Sequence, residues 1–400
     1  MKTINIKALY AFEGYVVDEI ECAESFAQVK LRFDKRIPPK CPRCHGAIPK
    51  NKTGKSCVMD SPLAHLNTIW ILFPTVQGRC PNCLHYVTSR PKEFHPTKKA
   101  TWRYMRQISS WASLAPANQV GSMFGISASS VRIYDQAVLG RDTPPPNLDG
   151  IRALLVDEKS VRKQHNYVTV VLNADTGELL HMQEGKKGES LAVFLRSLSE
   201  DQKRSIQAVG MDRGGAYKRA VEQNLPNAAI VFDRFHLVMN VNQAVDETRR
   251  IEWNKASKED KKFIKGGRFL LLTNASNLAE KKQPKLQELM AANQSLSTAY
   301  LLKEQFQSVY HYKSEGWAKR YLLQWCALAQ ESELKPFVRL AKGFLKSTKE
   351  IVSYAKHKIT SGKIESFNNQ IARIIHRSCG VSNLDYLFIR LRHATVMRSA

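Results

Sequence analysis

The chain has 400 residues, more than one small domain needs, and its hydrophobic content of 43% is enough to bury a sizeable core. Lys and Arg number 61 against 36 Asp and Glu, so the formal charge is +25 and nucleic acid is the first candidate partner. No apolar run approaches the roughly 20 residues of a membrane-spanning helix, and the N-terminus lacks a secretory signal, so we expect a cytoplasmic protein with reduced thiols.

The first predicted region, residues 1–97, combines short apolar strands with many basic residues. The segment Lys30–Arg106 contains 16 basic and only 3 acidic residues. Within it lie two Cys-x-x-Cys motifs, formed by Cys41, Cys44, Cys80 and Cys83. Two such pairs supply four soft ligands and leave no open position, which predicts a zinc ribbon with one structural Zn2+. A redox dithiol or incidental pairs are the alternatives, and His45 or His85 could substitute as a ligand.

The next region, residues 98–141, predicts a helix-turn-helix centred on residues 118–136. Gly125 permits the turn, and Ser127 can cap the second helix. The positions expected to face the core are Val120, Met123, Phe124, Val131 and Tyr134. The positions expected to point toward a DNA major groove are Ala128, Ser129 and Arg132. Short helical hairpins are common, so the place of this one directly after a basic zinc ribbon is what favours DNA binding.

A proline-rich linker, residues 141–150, separates these modules from a region of alternating strands and helices. The apolar runs predict strands at residues 151–157, 167–173, 178–184, 206–212 and 228–233. Helical patterns lie at Glu189–Leu198 and Ala216–Gln223. The order β-β-β-α-β-α-β predicts a mixed sheet with helices against it. Residues 235–355 are then almost wholly helical in pattern, and a final named helix is predicted at 361–377.

Acidic residues close two of the predicted strands. Asp157 ends the first strand and Asp212 ends the fourth, so both carboxylates can converge at one edge of the sheet. Glu365, on the final helix, is the best third candidate. Phosphodiester transfer needs an activated oxygen nucleophile and a stabilised leaving oxygen, which two Mg2+ ions held by carboxylates can provide. Each acid alone is more simply a solvated surface group, and Glu158 competes with Asp157 for the inward position.

The helix that carries Glu365 is amphipathic. Its apolar positions are Ile364, Phe367, Ile371 and Ile374. Its polar face, at three, four and eight positions after Glu365, consists of Asn368, Asn369 and Arg373. This face is suited to contact with DNA.

Together these motifs resemble the bacterial insertion-sequence transposases of the ISL3 type over nearly the whole chain. The resemblance rests on the Cys-x-x-Cys pairs, the helix-turn-helix and four blocks of sequence. These blocks are VDEKSVRKQHNYVTVVLNADTGELL (156–180), VGMDRGGAY (209–217), NAAIVFDRFHLVMNVNQAVDETRR (227–250) and SGKIESFNNQIARIIHRSCGVSNLDYLFIRLRH (361–393). Their order and spacing are specific, whereas no single block would be.

The resemblance implies a multidomain α+β protein with a DDE-type, RNase H-like mixed-sheet catalytic domain interrupted by an all-α insertion. The implied triad is Asp157, Asp212 and Glu365, holding two Mg2+ or Mn2+ ions for cleavage and strand transfer. Asp233 and His236 match an auxiliary block near the site, although His236 is equally plausible as a structural histidine. The segment 213–215 departs from the family pattern and puts the contacts beside Asp212 in doubt.

The implied divisions are a zinc ribbon at 1–97, a helix-turn-helix at 98–141, a catalytic core at 151–240 and 356–400, and a helical insertion at 241–355. Trp317 and Trp325 of the insertion are expected in its core, although an exposed one could stack on a flipped base. The implied partners are terminal inverted repeats, target DNA and at least a second copy of the chain, with the protein associated with the nucleoid when bound. The alternatives are a catalytically inactive DNA-binding regulator and a cellular RNase H-like nuclease such as a junction resolvase.

Overall fold

The structure, a computed structural model, describes residues 6–49, 51–63, 66–162, 166–213, 215–381 and 383–399. The chain divides into two compact units. The first comprises Met1–Pro144 and Ile374–His393, and the second comprises Pro145–Arg373 and Ala394–Ala400. The division into five segments made from the sequence stays a prediction. No helix within the described ranges is long and apolar enough to cross a membrane.

The secondary structure consists of two groups of strands and many helices. The strands are β1 (Tyr15–Cys22), β2 (Phe26–Phe33), β3 (Lys52–Asp60), β4 (Thr68–Arg79), β5 (Tyr86–Thr88), β6 (Ala153–Arg162), β7 (Asn166–Asn173), β8 (Leu179–Glu184), β9 (Ala208–Met211) and β10 (Ala229–Phe232). The helices are α1 (Trp102–Ala112), α2 (Ala117–Phe124), α3 (Ala128–Asp142), α4 (Gly188–Ser197), α5 (Glu200–Ser205), α6 (Gly215–Asn224), α7 (Arg234–Lys255), α8 (Lys258–Gly266), α9 (Arg268–Leu272), α10 (Gln283–Ala292), α11 (Gln294–Phe306), α12 (Glu315–Glu331), α13 (Lys335–Leu345), α14 (Thr348–Val352), α15 (Tyr354–His357), α16 (Gly362–Arg377) and α17 (Leu384–Ser399). Short 3-10 segments lie at Ile6–Tyr10, Ala275–Asn277, Glu280–Lys282 and Gln307–His311.

The first unit contains a mixed sheet in the order β1-β2-β4-β3, with β5 paired to the far end of β4. β2 and β4 run parallel, and the other neighbours run antiparallel. Side chains alternate between the two faces of a strand, and β4 accordingly buries Ile69, Ile71 and Phe73 on one face. These residues pack with Val29 and Phe94 into the core of the sheet.

Helices α1, α2 and α3 form a second core in the first unit, built around Tyr104, Val120 and Val131. The C-terminal helix α17 adds to them through the side chain of Asp135, which is 2% exposed. Ser109 donates a hydrogen bond of 2.6 Å to one oxygen of this carboxylate, and Tyr386 donates one of 2.5 Å to the other. The guanidinium of Arg390 lies 3.6 Å from Asp135. Residues from the two ends of the sequence therefore share one buried polar network.

The second unit contains a mixed sheet in the order β10-β9-β6-β7-β8. β10, β9 and β6 are parallel to one another. β7 pairs antiparallel with β6, and β8 pairs antiparallel with β7. Each strand and helix predicted from the sequence between residues 151 and 233 overlaps an observed one. The short helix α5 is an addition, begun by a capping box in which Ser199 and Gln202 bond each other's backbone.

The helices between β10 and α16 form their own aromatic core. Trp325 and Phe344 are 1% and 0% exposed, and both pack on Phe306 with ring centroids 5.0 and 5.1 Å apart. The indole of Trp325 also donates a hydrogen bond of 2.8 Å to the carbonyl of Leu302. Trp317 is 59% exposed, so its predicted place in the core is wrong. The eight positions from Trp317 to Trp325 rotate about 80° around a helix, which separates the two side chains.

Candidate active site and cysteine cluster

Three carboxylates lie at one level of three neighbouring strands in the second unit. Val156 of β6 and Phe232 of β10 both pair with Met211 of β9. The residue that follows each of these three positions in the chain is acidic: Asp157 within β6, and Asp212 and Asp233 directly after β9 and β10. β6 itself continues to Arg162 along β7, so the prediction that Asp157 closes its strand is wrong. What ends at Asp157 is the parallel pairing with β9, and that shared end brings the acids together.

The helix α16 supplies a further acid. Glu365 lies in its first turn and is exposed, while Ile364 and Phe367 are buried against the rest of the unit. The segment before the helix crosses close to β9. Ile359 of this segment lies so near Gly210 that a Cβ there would be 2.6 Å from Ile359 Cγ2. Glycine at this position therefore permits the approach that leads the chain into α16.

These elements enclose a cleft of about 360 Å³. Its polar lining includes Asp157, Glu158, Asp212, Asp233, His236, Glu365 and Asn368. Its apolar lining includes Val231, Ile359 and Ile364. All three residues of the predicted triad thus line one cleft, and so do both residues predicted as auxiliary.

Asp157 is held by two hydrogen bonds. The side-chain amide of Asn368 donates a bond of 2.6 Å to Asp157 Oδ2, and the backbone N–H of Glu158 donates one of 2.8 Å to Asp157 Oδ1. The other side-chain atom of Asn368, Oδ1, is buried and has no hydrogen-bond partner among the described residues. The amphipathic pattern of the helix predicts that Asn368 contacts DNA. Its position three residues after Glu365 was the sequence signal that places it on the cleft side of the helix.

His236 connects the other two acids. Its Nδ1 lies 2.8 Å from Asp212 Oδ1 and 2.8 Å from Asp233 Oδ2. Asp233 is also the N-cap of α7, since its side chain accepts a hydrogen bond from the backbone N–H of His236. Among the described residues, these three side chains form a set whose ligand atoms all lie within 4.8 Å of one another.

Asp212 has a perturbed acidity. Its pKa is raised to about 6: burial is the largest cause, the negative charges of Asp157, Asp233 and Glu158 add to the rise, and His236 opposes it. The cleft therefore concentrates like charges in a partly desolvated place, where a bound cation would lower the electrostatic cost.

The four cysteines of the Cys-x-x-Cys motifs also meet. The sulfurs of Cys41 and Cys83 lie 3.8 Å apart, those of Cys44 and Cys80 lie 3.4 Å apart, and all four lie within 4.8 Å of one another. Sulfurs bound tetrahedrally at about 2.3 Å from Zn2+ are about 3.8 Å apart. Cys41 and Cys80 are fully buried, which suits a closed site.

Each Cys-x-x-Cys motif forms the same turn. The N–H of Cys41 donates to the carbonyl of Gly46, and the N–H of Cys80 donates to the carbonyl of His85, at 2.8 and 2.9 Å. His45 and Leu84 occupy matching left-handed positions, with φ of 60° and 59°. Backbone N–H groups, that of Cys83 first, lower the pKa of the Cys80 thiol to about 6. The pKa of the Cys44 thiol is raised instead, to about 11, because a backbone hydrogen bond at Gly46 is outweighed by the contacts of Cys44 with the other three cysteines and by its burial. Without a metal the turn therefore favours the thiolate at Cys80.

Comparison with known proteins identifies the family. A family model for transposases, that of the ISL3 type, matches residues 154–391. The chain belongs to the ISL3 family of insertion-sequence transposases. It is 25% identical over 404 residues to the transposase for insertion sequence element IS1001 of Bordetella parapertussis, covering 97% of both chains. It is 29% identical over 244 residues to the transposase for IS1557 of Mycobacterium tuberculosis strain CDC 1551 / Oshkosh, covering 55% of each.

The helices α2 and α3 of the transposase have the predicted turn. Gly125 ends α2 with φ of 64°, a left-handed conformation that suits glycine, and Ser127 Oγ accepts a hydrogen bond of 3.1 Å from Ser130 N. Four of the five positions expected in the core are buried: Val120, Phe124, Val131 and Tyr134. Met123 is 57% exposed, so its predicted place is wrong. Positions 120 and 124 share one helix face, and position 123 lies at its edge.

The surface residues assigned to DNA have mixed exposure in the transposase. Ser129 and Arg132 on α3 are exposed, and Ala128 is half-buried. On α16, Asn369 and Arg373 are exposed. Ile374, expected on the apolar face of that helix, is half-buried.

Of the segment 213–215, residue 214 lies outside the described residues, and Arg213 has a packing role. The guanidinium of Arg213 lies over the ring of Phe344 on α13, 5.3 Å from its centroid. A Cβ on Gly343 would lie 2.4 Å from the same guanidinium, so glycine permits the contact. Arg213 therefore packs the segment directly after β9, which contains Asp212, against helix α13.

Proposed function

We propose that this transposase binds the terminal inverted repeats of its insertion sequence and catalyses metal-dependent DNA cleavage and strand transfer with Asp157, Asp212 and Glu365. The observation that carries the proposal is the meeting of these three carboxylates in one cleft, inside the region matched by the family model. Phosphodiester chemistry at such a site needs convergent hard ligands, and this cleft has them.

The residues of the cleft fit divalent cations. Asp233 Oδ1 and Asn368 Oδ1 are both buried and lack a hydrogen-bond partner among the described residues, and the raised pKa of Asp212 reflects its burial first and the neighbouring carboxylates second. Unpaired buried oxygens are costly unless a ligand satisfies them. Asp157, Asp212 and Glu365 would hold two Mg2+ or Mn2+ ions, which when bound would activate an oxygen nucleophile and stabilise the leaving oxygen.

The chain's own groups would orient this chemistry. Asn368 and the N–H of Glu158 fix both oxygens of Asp157, so the carboxylate needs little reorganisation during the reaction. The exposed Asn369 and Arg373 would contact DNA beside the cleft. In the proposed sequence, water attacks the phosphodiester at the element end and breaks its P–O3′ bond, which leaves a 3′-hydroxyl and a 5′-phosphate. That 3′-hydroxyl then attacks a phosphodiester of the target, forms a new P–O bond and displaces the 3′-oxygen of the target strand, which leaves as a hydroxyl.

The first unit would provide recognition. The four sulfurs have the spacing that Zn2+ requires, so we assign Cys41, Cys44, Cys80 and Cys83 to one structural ion. Helix α3 would enter a major groove, where Ala128, Ser129 and Arg132 lie at its N-terminal end. Joining two element ends would require at least a dimer on DNA.

Cleavage of a labelled duplex that carries the element's own end tests the proposal. We expect metal-dependent nicking at the end by the wild type, and loss of nicking with retained DNA binding in Asp157→Ala, Asp212→Ala and Glu365→Ala. Asp201→Ala, an exposed carboxylate on α5, is the matched control and should cleave normally. Binding without cleavage by the wild type would instead favour a catalytically inactive regulator.

A further inference from the structure

Asp212, Asp233 and His236 form a tighter group than the predicted triad. Only Asp212 belongs to both sets, and the ligand atoms of the tighter group lie within 4.8 Å of one another. The group brings an imidazole nitrogen to a cleft that is otherwise lined by oxygen ligands. This nitrogen changes which cations the cleft would prefer.

The distances within the group resemble those around a metal ion. Two neighbouring ligands of an octahedral ion, each about 2.1 Å from the metal, are about 3.0 Å apart. His236 Nδ1 lies 2.8 Å from one oxygen of Asp212 and 2.8 Å from one oxygen of Asp233. The three atoms are therefore already close to the positions of adjacent ligands.

Hydrogen bonding alone explains the arrangement of Asp212, Asp233 and His236 less well than a bound metal ion does. A ring nitrogen carries at most one hydrogen, and a strong bond needs that hydrogen directed at its acceptor. His236 Nδ1 is equally distant from two carboxylates, so one N–H cannot point well at both. A cation in contact with all three groups would satisfy them together.

A second observation at Asp233 points to a ligand. Its side chain is 7% exposed, and its Oδ1 has no hydrogen-bond partner among the described residues. Asp233 lines the cleft, and within the described part of the chain only its Oδ2 is engaged, by the ring and the backbone N–H of His236. A buried carboxylate oxygen without a donor is rare in folded proteins, and a cation is the partner that an acidic cleft would attract.

We propose that Asp212, Asp233 and His236 form one divalent-metal position whose nitrogen ligand makes it favour a first-row transition metal such as Mn2+ over Mg2+. This inference rests on the proposed function, because it places the group at one of the two cation positions of that site. Imidazole is a poor ligand for Mg2+ and a better one for transition metals, and this difference is the source of the preference.

Mn2+ and Mg2+ binding to the full-length, tag-free protein without DNA tests the inference. We expect Mn2+ to bind at least about tenfold more tightly than Mg2+, and pulsed EPR of the Mn2+-loaded protein to show coupling to an imidazole 14N nucleus. His236→Gln should remove the 14N coupling and weaken Mn2+ binding by about tenfold or more, with a smaller effect on Mg2+. His376→Gln, an exposed histidine on α16, is the matched control and should behave as the wild type.

Asp233→Asn separates ligation from capping. Asn is as good an N-cap as Asp, so α7 and the melting temperature without metal should be preserved while binding of both cations weakens. Should this variant not fold, His236→Gln decides the question alone. An absence of 14N coupling in the wild type, its persistence in His236→Gln, or an unchanged Mn2+ affinity in that variant would overturn the inference. Loss of Mn2+ binding in Asp157→Asn, with wild-type binding in His236→Gln and Asp233→Asn, would reject this inference and leave the proposed function standing.

Discussion

The cysteine cluster and the acidic cleft both gather side chains of the types that bind metal ions, but they assemble them over very different lengths of chain. Each half of the cluster is one short turn, closed by a backbone hydrogen bond between Cys41 and Gly46 or between Cys80 and His85. The cleft needs three strands in register and a helix that returns after a long helical region. Local turns therefore orient the ligands of the cluster, whereas the whole second unit orients those of the cleft.

The two regions also differ in exposure. Cys41 and Cys80 are fully buried, whereas the side chain of Asp212 is 44% exposed and that of Glu365 is exposed. A closed site with no free position suits a structural ion, and an open one suits a site that admits a substrate. Metal loss should thus unfold one region and leave the other folded but inactive.

The largest effect is expected from the cluster. Cys80→Ser should lower the zinc content and remove metal-binding free energy of the order of 10 kcal/mol from the stability of the N-terminal region. Zinc analysis and circular dichroism would show the loss, and binding to element-end DNA should fall with it. Cys22→Ser, at an exposed and separate cysteine, should change none of these quantities. A Cys80→Ser protein with normal zinc content would contradict the assignment.

A smaller effect is expected from the residue that orients Asp157. Asn368→Ala removes the hydrogen bond to Asp157 Oδ2 and should slow end cleavage by about 10- to 100-fold, a range typical of groups that orient metal ligands. The melting temperature should change little, because we expect the polar side chains of the open cleft to contribute little to the stability of the fold. Single-turnover cleavage rates measure the effect, with the exposed Ser366→Ala on the same helix as the comparison. Equal rates for the two variants would show that Asn368 does not orient the catalytic carboxylate.

The buried network of the first unit should behave as a structural feature. Asp135→Asn replaces one acceptor with a donor opposite Ser109 or Tyr386 and should destabilise the helices by about 1–3 kcal/mol. Urea unfolding followed by tryptophan fluorescence measures this change. Gln136→Ala, at the exposed neighbouring position, should leave the midpoint within error. A stable Asp135→Asn variant would mean that α17 does not support α3 through this carboxylate.

The smallest effect is expected at the surface of α3 that we propose to face DNA. Arg132 is exposed, so Arg132→Ala should weaken binding to element ends by roughly tenfold and leave the melting temperature unchanged. A salt titration of binding would show a shallower slope if Arg132 contacts a phosphate, and relaxed sequence preference if it contacts a base. Arg204→Ala, exposed on α5, is the comparison. Identical binding by both variants would remove α3 from the recognition surface.

The same contrast explains what the sequence could predict. The Cys-x-x-Cys spacing carries its own geometry, and the meeting of Cys41, Cys44, Cys80 and Cys83 follows from it. The strands of the second unit were predictable because their apolar runs are short and bounded by turns. The convergence of Asp157 with Asp212 followed from the parallel pairing of their strands, although β6 extends further than its apolar run.

Other features depend on packing that no local pattern encodes. The bond between Asn368 and Asp157 joins residues 211 positions apart and depends on how α16 returns to the sheet. Trp317 is exposed and Trp325 is buried because only one face of α12 packs against α11. The addition of α17 to the first unit requires a segment near the end of the sequence to pack on helices more than 200 residues earlier. A single acidic residue in the sequence, Asp135, does not predict that contact.

The most direct test of the central claim is strand transfer by a pre-cleaved element end into plasmid DNA, with Mg2+ or Mn2+. This reaction skips the first cleavage, so it asks whether the same three carboxylates serve both chemical steps. We predict that the wild type joins the 3′-hydroxyl to the target, and that Asp157→Asn, Asp212→Asn and Glu365→Gln lose both joining and cleavage while still binding the end. A variant that loses cleavage but still joins the pre-cleaved end would contradict a single site for both steps.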